Sequence, residues 1–243
     1  MGARSRLGLS YREGSIVTDL IDTIEMYLRT IIDLEEEGII PMRARISERL
    51  GHSGPTVSQT VSRMERDGLV TLDDERHLQL TDVGRDKAVS VLRKHRLAEC
   101  LLVNVLALDP DLVHDEACRW EHVMSVDVER RIFETLGRPT HSPFGGPIPG
   151  LEKLGGETAG AFLEGVQSLR AALDTDVVVD RLGEPIQMDY DLFRLIVQSG
   201  ILPGTTVRAT LVDTEIRVSV DGTPALNIDL DVANHIYVKP LNY

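Results

Sequence analysis

Aromatic side chains are scarce, at 4% of the 243 residues, so any core has to rest on Leu, Val and Ile. Cysteine is nearly absent. Cys100 and Cys118 stand eighteen positions apart, too few to staple a chain of this length with disulfides. Cys100, in AECLLVNVL, reads as a small buried hydrophobe. No apolar run approaches the roughly 18 residues needed to span a bilayer. The opening stretch MGARSRLGLSYREGS is polar and basic, without the apolar core of a secretion signal. These absences exclude a disulfide-rich secreted protein and a membrane protein, and predict a cytoplasmic one.

Positive charge is also in short supply, with 26 Lys and Arg against 39 Asp and Glu and a net charge of −13. That average hides two basic islands. Between Pro41 and Arg66, five arginines face two glutamates, a local +3. Between Arg76 and Arg96, six bases face two aspartates, a local +4. Salt screens charges beyond about 8 Å, so phosphates respond to such islands and not to the total. The acidic surplus lies in LEEEG (34–38), in LDPDLVHDEA and in the C-terminal half.

Apolar spacing at Leu20, Ile24, Leu28, Ile31 and Ile32 predicts a helix over 19–37, ended by Gly38. Short helices over 42–50 and 53–67 follow, closed by Gly51 and Gly68. LVTL (69–72) and LQL (78–80) alternate like a hairpin around the turn DDERH. A long helix runs from Thr81 to Leu106, capped by Thr81 or Asp82, and Val113 to Leu136 holds one or two more. RPTHSPFGGPIPG (138–150) has four prolines and three glycines among thirteen residues, the composition of a linker or an extended polyproline-like segment. Residues 151–175 look helical at best. From Asp176, short β-rich runs surround the helix YDLFRLIVQSG, and Asp221-Gly222 marks a hairpin turn. A small barrel is the natural solution for so few short strands. No internal repeat is present.

Helix 42–50, the turn GHS and helix 53–67 have the layout of a helix-turn-helix. Val57, Val61 and Met64 face inward; Ser53 is a good N-cap, and Pro55 is tolerated in the first turn. Thr56, Ser58, Gln59, Thr60 and Arg63 then point outward, short hydroxyls and an amide able to reach phosphates and base edges. A hairpin with Arg76 and His77 at its tip completes a wing. An ordinary helical hairpin with a solvated face would fit the spacing too, but acidic residues are missing from 49–64, as proximity to phosphate demands.

The nine residues HDEACRWEH (114–122) carry the second signal. His114, Cys118, Glu121 and His122 fall at i, i+4, i+7 and i+8, one stripe of a helix. Imidazole, thiolate and carboxylate together suit a first-row divalent metal. Structural zinc would favour more sulfur, and magnesium or calcium oxygens alone. His95 and Glu99 form a second i, i+4 pair upstream. Each pair alone fits a surface contact; two sets in neighbouring helices are harder to dismiss. Trp120, beside the stripe, reads as core.

DLIDTIEMYLRTIIDLEEEG, RARISERLGHSGPTVSQTVSRMERDGLV, RKHRLAECLL, HDEACRWEHVMS, VERR and SPFGGPIPGLEKLG together resemble the iron-dependent repressors of the diphtheria toxin repressor family, of the actinobacterial iron-dependent regulator type. The likeness is near-continuous from Thr18 to Gly155 and looser beyond. It implies a mainly α N-terminal half, a winged helix-turn-helix plus a helical dimerisation domain, with a small all-β SH3-like C-terminal barrel. The expected divisions are a disordered extension (1–16), the DNA-binding domain (17–80), the metal-binding and dimerisation domain (81–155, with the proline-rich segment 138–150), a linker (156–175) and the SH3-like domain (176–243). Because the resemblance begins near Val17, an alternative start codon there would make 1–16 an annotation extension.

The resemblance implies two metal sites. Met26, Cys118, Glu121 and His122 would form the primary one, although periodicity alone files Met26 as core. His95, Glu99, His114, Glu184 and Gln187 would form the ancillary one, with Arg96 and Ser142 binding an anion nearby. Arg43, Ser53, Pro55, Thr56, Ser58, Gln59 and Arg76 would meet double-stranded operator DNA. The SH3-like module would dock 142–150 of its own chain, and two homodimers would share one inverted-repeat operator. The expected cofactor is Fe2+, with Mn2+, Co2+, Ni2+ or Zn2+ able to substitute in vitro. The resulting function is metal-dependent repression of iron-homeostasis genes, metal favouring the DNA-competent dimer. A manganese-responsive regulator of the same fold is the alternative, disfavoured by the soft thiolate of Cys118. A metallo-hydrolase would need an open coordination position, a cleft and a base, and an adaptor would need a foreign proline-rich ligand.

Overall fold

The computed structural model describes residues 14–241, with side chains described from Thr23 onward. Residues 1–13 of the expected extension lie outside the described residues, and positions 14–16 open the first helix. That helix, α1 (Gly14–Glu36), starts five residues before the expected boundary. Helices α2 (Arg43–Leu50) and α3 (Gly54–Arg66) follow as expected, Ser53 Oγ accepting the Thr56 N–H at 3.4 Å to cap α3. Strands β1 (Val70–Leu72) and β2 (Leu78–Leu80) pair antiparallel, Val70 opposite Leu80.

Helix α4 (Asp82–Asn104) is capped by Thr81, whose hydroxyl accepts the Gly84 N–H and donates to the Gly68 carbonyl. A Cβ at Gly84 would meet the Leu69 carbonyl oxygen at 1.9 Å, so glycine is what lets α4 press against the base of the wing. Helices α5 (Pro110–Trp120) and α6 (Val126–Thr135) resolve the 113–136 stretch into two. Pro110 starts α5 earlier than periodicity suggested, and Ser125 stops the run by capping α6 through the Val128 N–H.

The proline-rich segment is not a linker. His141 bridges Pro147, the Ser142 N–H donates to the Gly146 carbonyl, and Phe144 and Ile148 are buried. Strand β4 (Asp176–Leu182) receives it: Leu182 N–H donates to the Phe144 carbonyl at 2.9 Å. Gly145, at φ +86°, passes so close that a Cβ would lie 2.0 Å from the Asp180 carbonyl oxygen. Composition could not show this, because prolines and glycines look alike whether solvated or docked. Residues 151–175 are likewise not a helix. They form 3-10 turns at Leu151–Leu154 and Leu169–Ala171 and a strand β3 (Gln167–Ser168) that joins the C-terminal sheet.

The remaining elements are α7 (Glu184–Met188), α8 (Tyr190–Gln198), β5 (Thr206–Val212), β6 (Glu215–Val220), β7 (Leu226–Asp229), α9 (Leu230–Asn234) and β8 (Ile236–Pro240). Among the described residues the sheet runs β3-β8-β4-β5-β6-β7, all antiparallel. The expected all-β barrel needs two corrections. Two short helices, α7 and α9, accompany the strands besides the expected α8, and among the described residues the sheet stays open, with β3 and β7 as its edges.

Two cores result. Tyr27, Leu28, Ile31, Ile46, Val57, Val61, Met64 and Leu92 form the winged-helix core. A second core runs without interruption from Leu97 and Ala117 through Phe133, Ile148 and Phe193 to the sheet. Helix α4 feeds both, its first half one and its second half the other. The end of α1 is fixed by three consecutive glutamates. Glu35 pairs Arg85 and Glu36 pairs Arg96, both on α4, while Glu37 pairs Arg49 on α2 and His235 next to β8.

Candidate metal centre

Four elements aim polar side chains at one another between these cores. Helix α1 brings Glu25, Arg29 and Asp33, spaced by four residues and so on one face. Helix α4 brings His95 and Glu99, α5 brings His114 and Cys118, and α7 brings Glu184 and Gln187. The expected stripe 114/118/121/122 is not one continuous helix, since α5 ends at Trp120. His114 and Cys118 lie one turn apart, Nε2 to Sγ 3.4 Å. Glu121 sits in the closing turn, and His122 beyond it turns to α1, with Nδ1 2.7 Å from Glu25 Oε2.

Among the described residues, two groups of His, Cys and carboxylate hold their ligand atoms within 4.8 Å of one another: His95–Glu99–His114 and His95–Cys118–Glu121. The first is the core of the expected ancillary set. The second joins two expected primary ligands, but with His95 beside them. His122 and Glu184 lie beside these groups, His122 Nε2 3.4 Å from Glu121 Oε1 and Glu184 Oε1 3.6 Å from His114 Nδ1. Gln187 donates its amide to the Leu182 carbonyl. Met26 is half-buried on α1 and packs against the winged-helix core.

Sequence reasoning missed the residue at the centre. Arg29 is 6% exposed. Its Nη1 donates to Cys118 Sγ at 3.1 Å and Glu121 Oε2 at 3.0 Å; Nη2 lies 3.4 Å from His95 Nε2 and pairs with Glu184, and Nε faces Asp33 at 3.6 Å. A signal was present: Arg29 flanks the apolar face formed by Leu28, Ile31 and Ile32, where a charge that becomes buried needs a partner.

The electrostatics follow. Burial would raise the Cys118 thiol, but the Arg29 charge and hydrogen bonds from His114 and His95 outweigh it and bring the pKa from 9.0 to about 4. Burial opposes ionisation of Glu121 as well, and Arg29 and His95 still hold it at about 2. Asp33 goes the other way: burial lifts it to about 6 against the pull of Arg29. Burial and Arg29 both push His95 down, yet Glu99, Cys118 and Glu121 keep it well above its ordinary value.

The donor set fits a divalent transition metal. It mixes thiolate, imidazole and carboxylate, and two buried acceptors, His114 Nδ1 and Gln187 Oε1, make no hydrogen bond. The expected anion pair is differently engaged. Arg96 binds Glu36 through both Nη atoms (3.0 and 2.5 Å) and donates to the Pro147 carbonyl, while Ser142 Oγ accepts the Phe144 N–H. Glu36 thus takes the place an external anion would have on Arg96.

On the other face of the winged-helix domain, Ser53, Pro55, Thr56, Ser58 and Gln59 are exposed along the start of α3. Arg76 is exposed at the wing tip with φ +64°, and Arg43 is half-buried at the start of α2.

Residues 19–78 match the family model described as iron dependent repressor, N-terminal DNA binding domain. Residues 81–150 match the model described as iron dependent repressor, metal binding and dimerisation domain. The chain belongs to the iron-dependent repressor family. The iron-dependent repressor IdeR of Mycobacterium leprae is 52% identical over 223 residues, covering 90% of this chain and 92% of that protein. The diphtheria toxin repressor of Corynebacterium diphtheriae is 49% identical over 225 residues, with 92% and 99% covered. Among solved structures, a manganese-dependent transcriptional repressor in complex with manganese superposes with a TM-score of 0.75 at 30% identity, over 90% of this chain and 100% of that one. The T. acidophilum IdeR structure gives 0.71 at 26%, over 89% and 97%.

This iron-dependent repressor therefore has a DNA-binding domain followed by a metal-binding and dimerisation domain, and the manganese alternative is not favoured. No helix among the described residues is long and apolar enough to cross a membrane.

Proposed function

We propose that this chain is a cytoplasmic, ferrous-iron-dependent repressor of iron-homeostasis genes, working as a homodimer with two dimers on each inverted-repeat operator. It is a regulator and not an enzyme. The observation that carries the reading is the convergence of donor atoms from α4, α5 and α7 on α1, the helix whose other side is a wall of the winged-helix core. Cys118, Glu121 and His122, with Met26, are the primary ligands; His95, Glu99 and His114, with Glu184 and Gln187, are the ancillary ones. When bound, Fe2+ supplies a compact double charge that thiolate and imidazole prefer to the harder Mn2+.

Ligands shared between α1 and α5 fix the winged helix relative to the dimer-forming helices. Helix α3 is then held where Ser53, Pro55, Thr56, Ser58 and Gln59 meet the major groove, with Arg43 and Arg76 supporting on phosphates. A few kcal/mol of differential affinity suffices to move such a two-state equilibrium. The apolar cleft lined by Leu101, Trp120, Met124 and Ile132, edged by the exposed Val123 and Val128, supports dimerisation through α4–α6.

The decisive experiment is operator selection from genomic fragments with and without anaerobic Fe2+. Metal-dependent recovery of a shared inverted repeat is expected. Equal recovery by metal-stripped protein overturns the reading.

A further inference from the structure

Arg29 stands where two cations have business and there is room for one. Its guanidinium touches Cys118 Sγ and Glu121 Oε2, lies against His95 Nε2 and pairs with Glu184. Three of those groups, His95, Cys118 and Glu121, make up one of the two metal-capable clusters. Arginine keeps its charge at every accessible pH. Like charges sharing the same lone pairs in a buried pocket repel strongly, and a thiolate or carboxylate oxygen spent on an N–H is not free to ligate. The side chain comes from α1, while its partners come from α4, α5 and α7. It therefore cross-links the same elements that the ligands themselves join.

We propose that Arg29 is the protein's built-in counter-cation: it pairs with Cys118, Glu121 and Glu184 in the metal-free chain and must withdraw before they can ligate, thereby setting the metal concentration at which the repressor switches. This rests on the metal-centre reading above and adds a competitor to it. The ordinary alternative is that Arg29 is a fixed strut that positions the ligands. The two differ in sign. A strut's removal weakens metal binding, whereas a competitor's removal strengthens it.

The test uses the full-length chain and Co2+ as probe, because thiolate–cobalt absorption reports Cys118 directly. The Arg29→Gln variant is expected to bind Co2+ at least about tenfold more tightly than wild type, with Arg29→Lys in between. Unchanged or weaker binding by Arg29→Gln overturns the proposal. If wild type shows no thiolate–cobalt absorption, the metal-centre reading itself fails, and that outcome is separable from the first. Should Arg29→Gln not fold, wild-type chain carrying 15N-arginine decides. The Arg29 Nη–H signals, assigned by their loss in Arg29→Lys, are expected to be protected from exchange without metal, because Nη1 and Nη2 hold the bonds to the cluster, and must lose protection on saturation with Zn2+. Equal protection in both states refutes withdrawal.

Discussion

Helix α3 and the cluster around Arg29 are both polar, yet they hold their polar groups in opposite ways. Along α3, Pro55, Thr56, Ser58 and Gln59 are exposed, and the internal bonds there are short-range caps such as Ser53 to Thr56. Around Arg29 the groups are buried and bonded to one another across four elements. The difference teaches what each surface asks of its partner. DNA meets side chains that exchange water for phosphate or base. A metal ion meets side chains that already have partners inside the chain, so its binding is a substitution and is tied to rearrangement.

That contrast can be broken from the inside first. Glu121→Ala strands Arg29 and His95 in a buried site, and the metal-free protein is expected to lose about 3–5 kcal/mol of unfolding free energy in a denaturant titration. A loss below about 1 kcal/mol would mean that the cluster is hydrated and no different in kind from α3. Next, His122→Ala is expected to erase the metal-dependent gain in operator affinity, about 5–150-fold in a titrated gel shift, while Glu184→Ala only reduces it. Equal effects would dissolve the division into primary and ancillary ligands. From the outside, Gln59→Ala should weaken operator binding by about 1–3 kcal/mol and leave unfolding within about 0.5 kcal/mol of wild type. A large stability change would show that α3 is bonded inward after all.

The gentlest measurement is a pH titration of the metal-free chain. Cys118, drawn down to about 4, should keep its thiolate absorbance near 240 nm through neutral pH and lose it around pH 4. Cys100, which burial pushes up to about 12, stays silent. Because the folded value of Cys118 lies below the unfolded 9.0, its contribution to stability is complete above about pH 9, shrinks as pH falls and is gone below about 4. A midpoint near 9 would remove Arg29 from the thiol's surroundings. Protons then compete with metal at His95, which its acidic neighbours hold well above its ordinary value, and not at this thiol.

The legible parts of the chain are those written in local chemistry. Ser53 and Thr81 cap the helices that they precede, Val57, Val61 and Met64 turn inward together, and the wing strands alternate as read. His95, Glu99 and His114 come together because i, i+4 spacing on two packed helices leaves little choice. What escaped depends on distant partners. Arg29 looks like a stray charge until α5 and α7 are beside it. The turn that takes Glu121 and His122 off the helix is dictated by Ser125, which the apolar periodicity overran. The docking of 142–150 came from the resemblance alone, because the close pass of Gly145 to Asp180 that secures it has no signature in composition. An open sheet and a closed barrel share the same alternation, so β3 and β7 as unpaired edges were invisible.

The three glutamates at the end of α1 have one more consequence. Held by Arg85, Arg96 and Arg49 from two different helices, that end is pinned against sliding. Helix α1 then behaves as a lever with its fulcrum at Glu35–Glu37. Any adjustment seven residues away at Arg29, roughly 10 Å along the axis, becomes a change of tilt that grows toward the N-terminal turns. If Arg29 gives up its partners to a metal as proposed, the run of like charges that seemed mere surface acidity would turn that exchange into a directed swing.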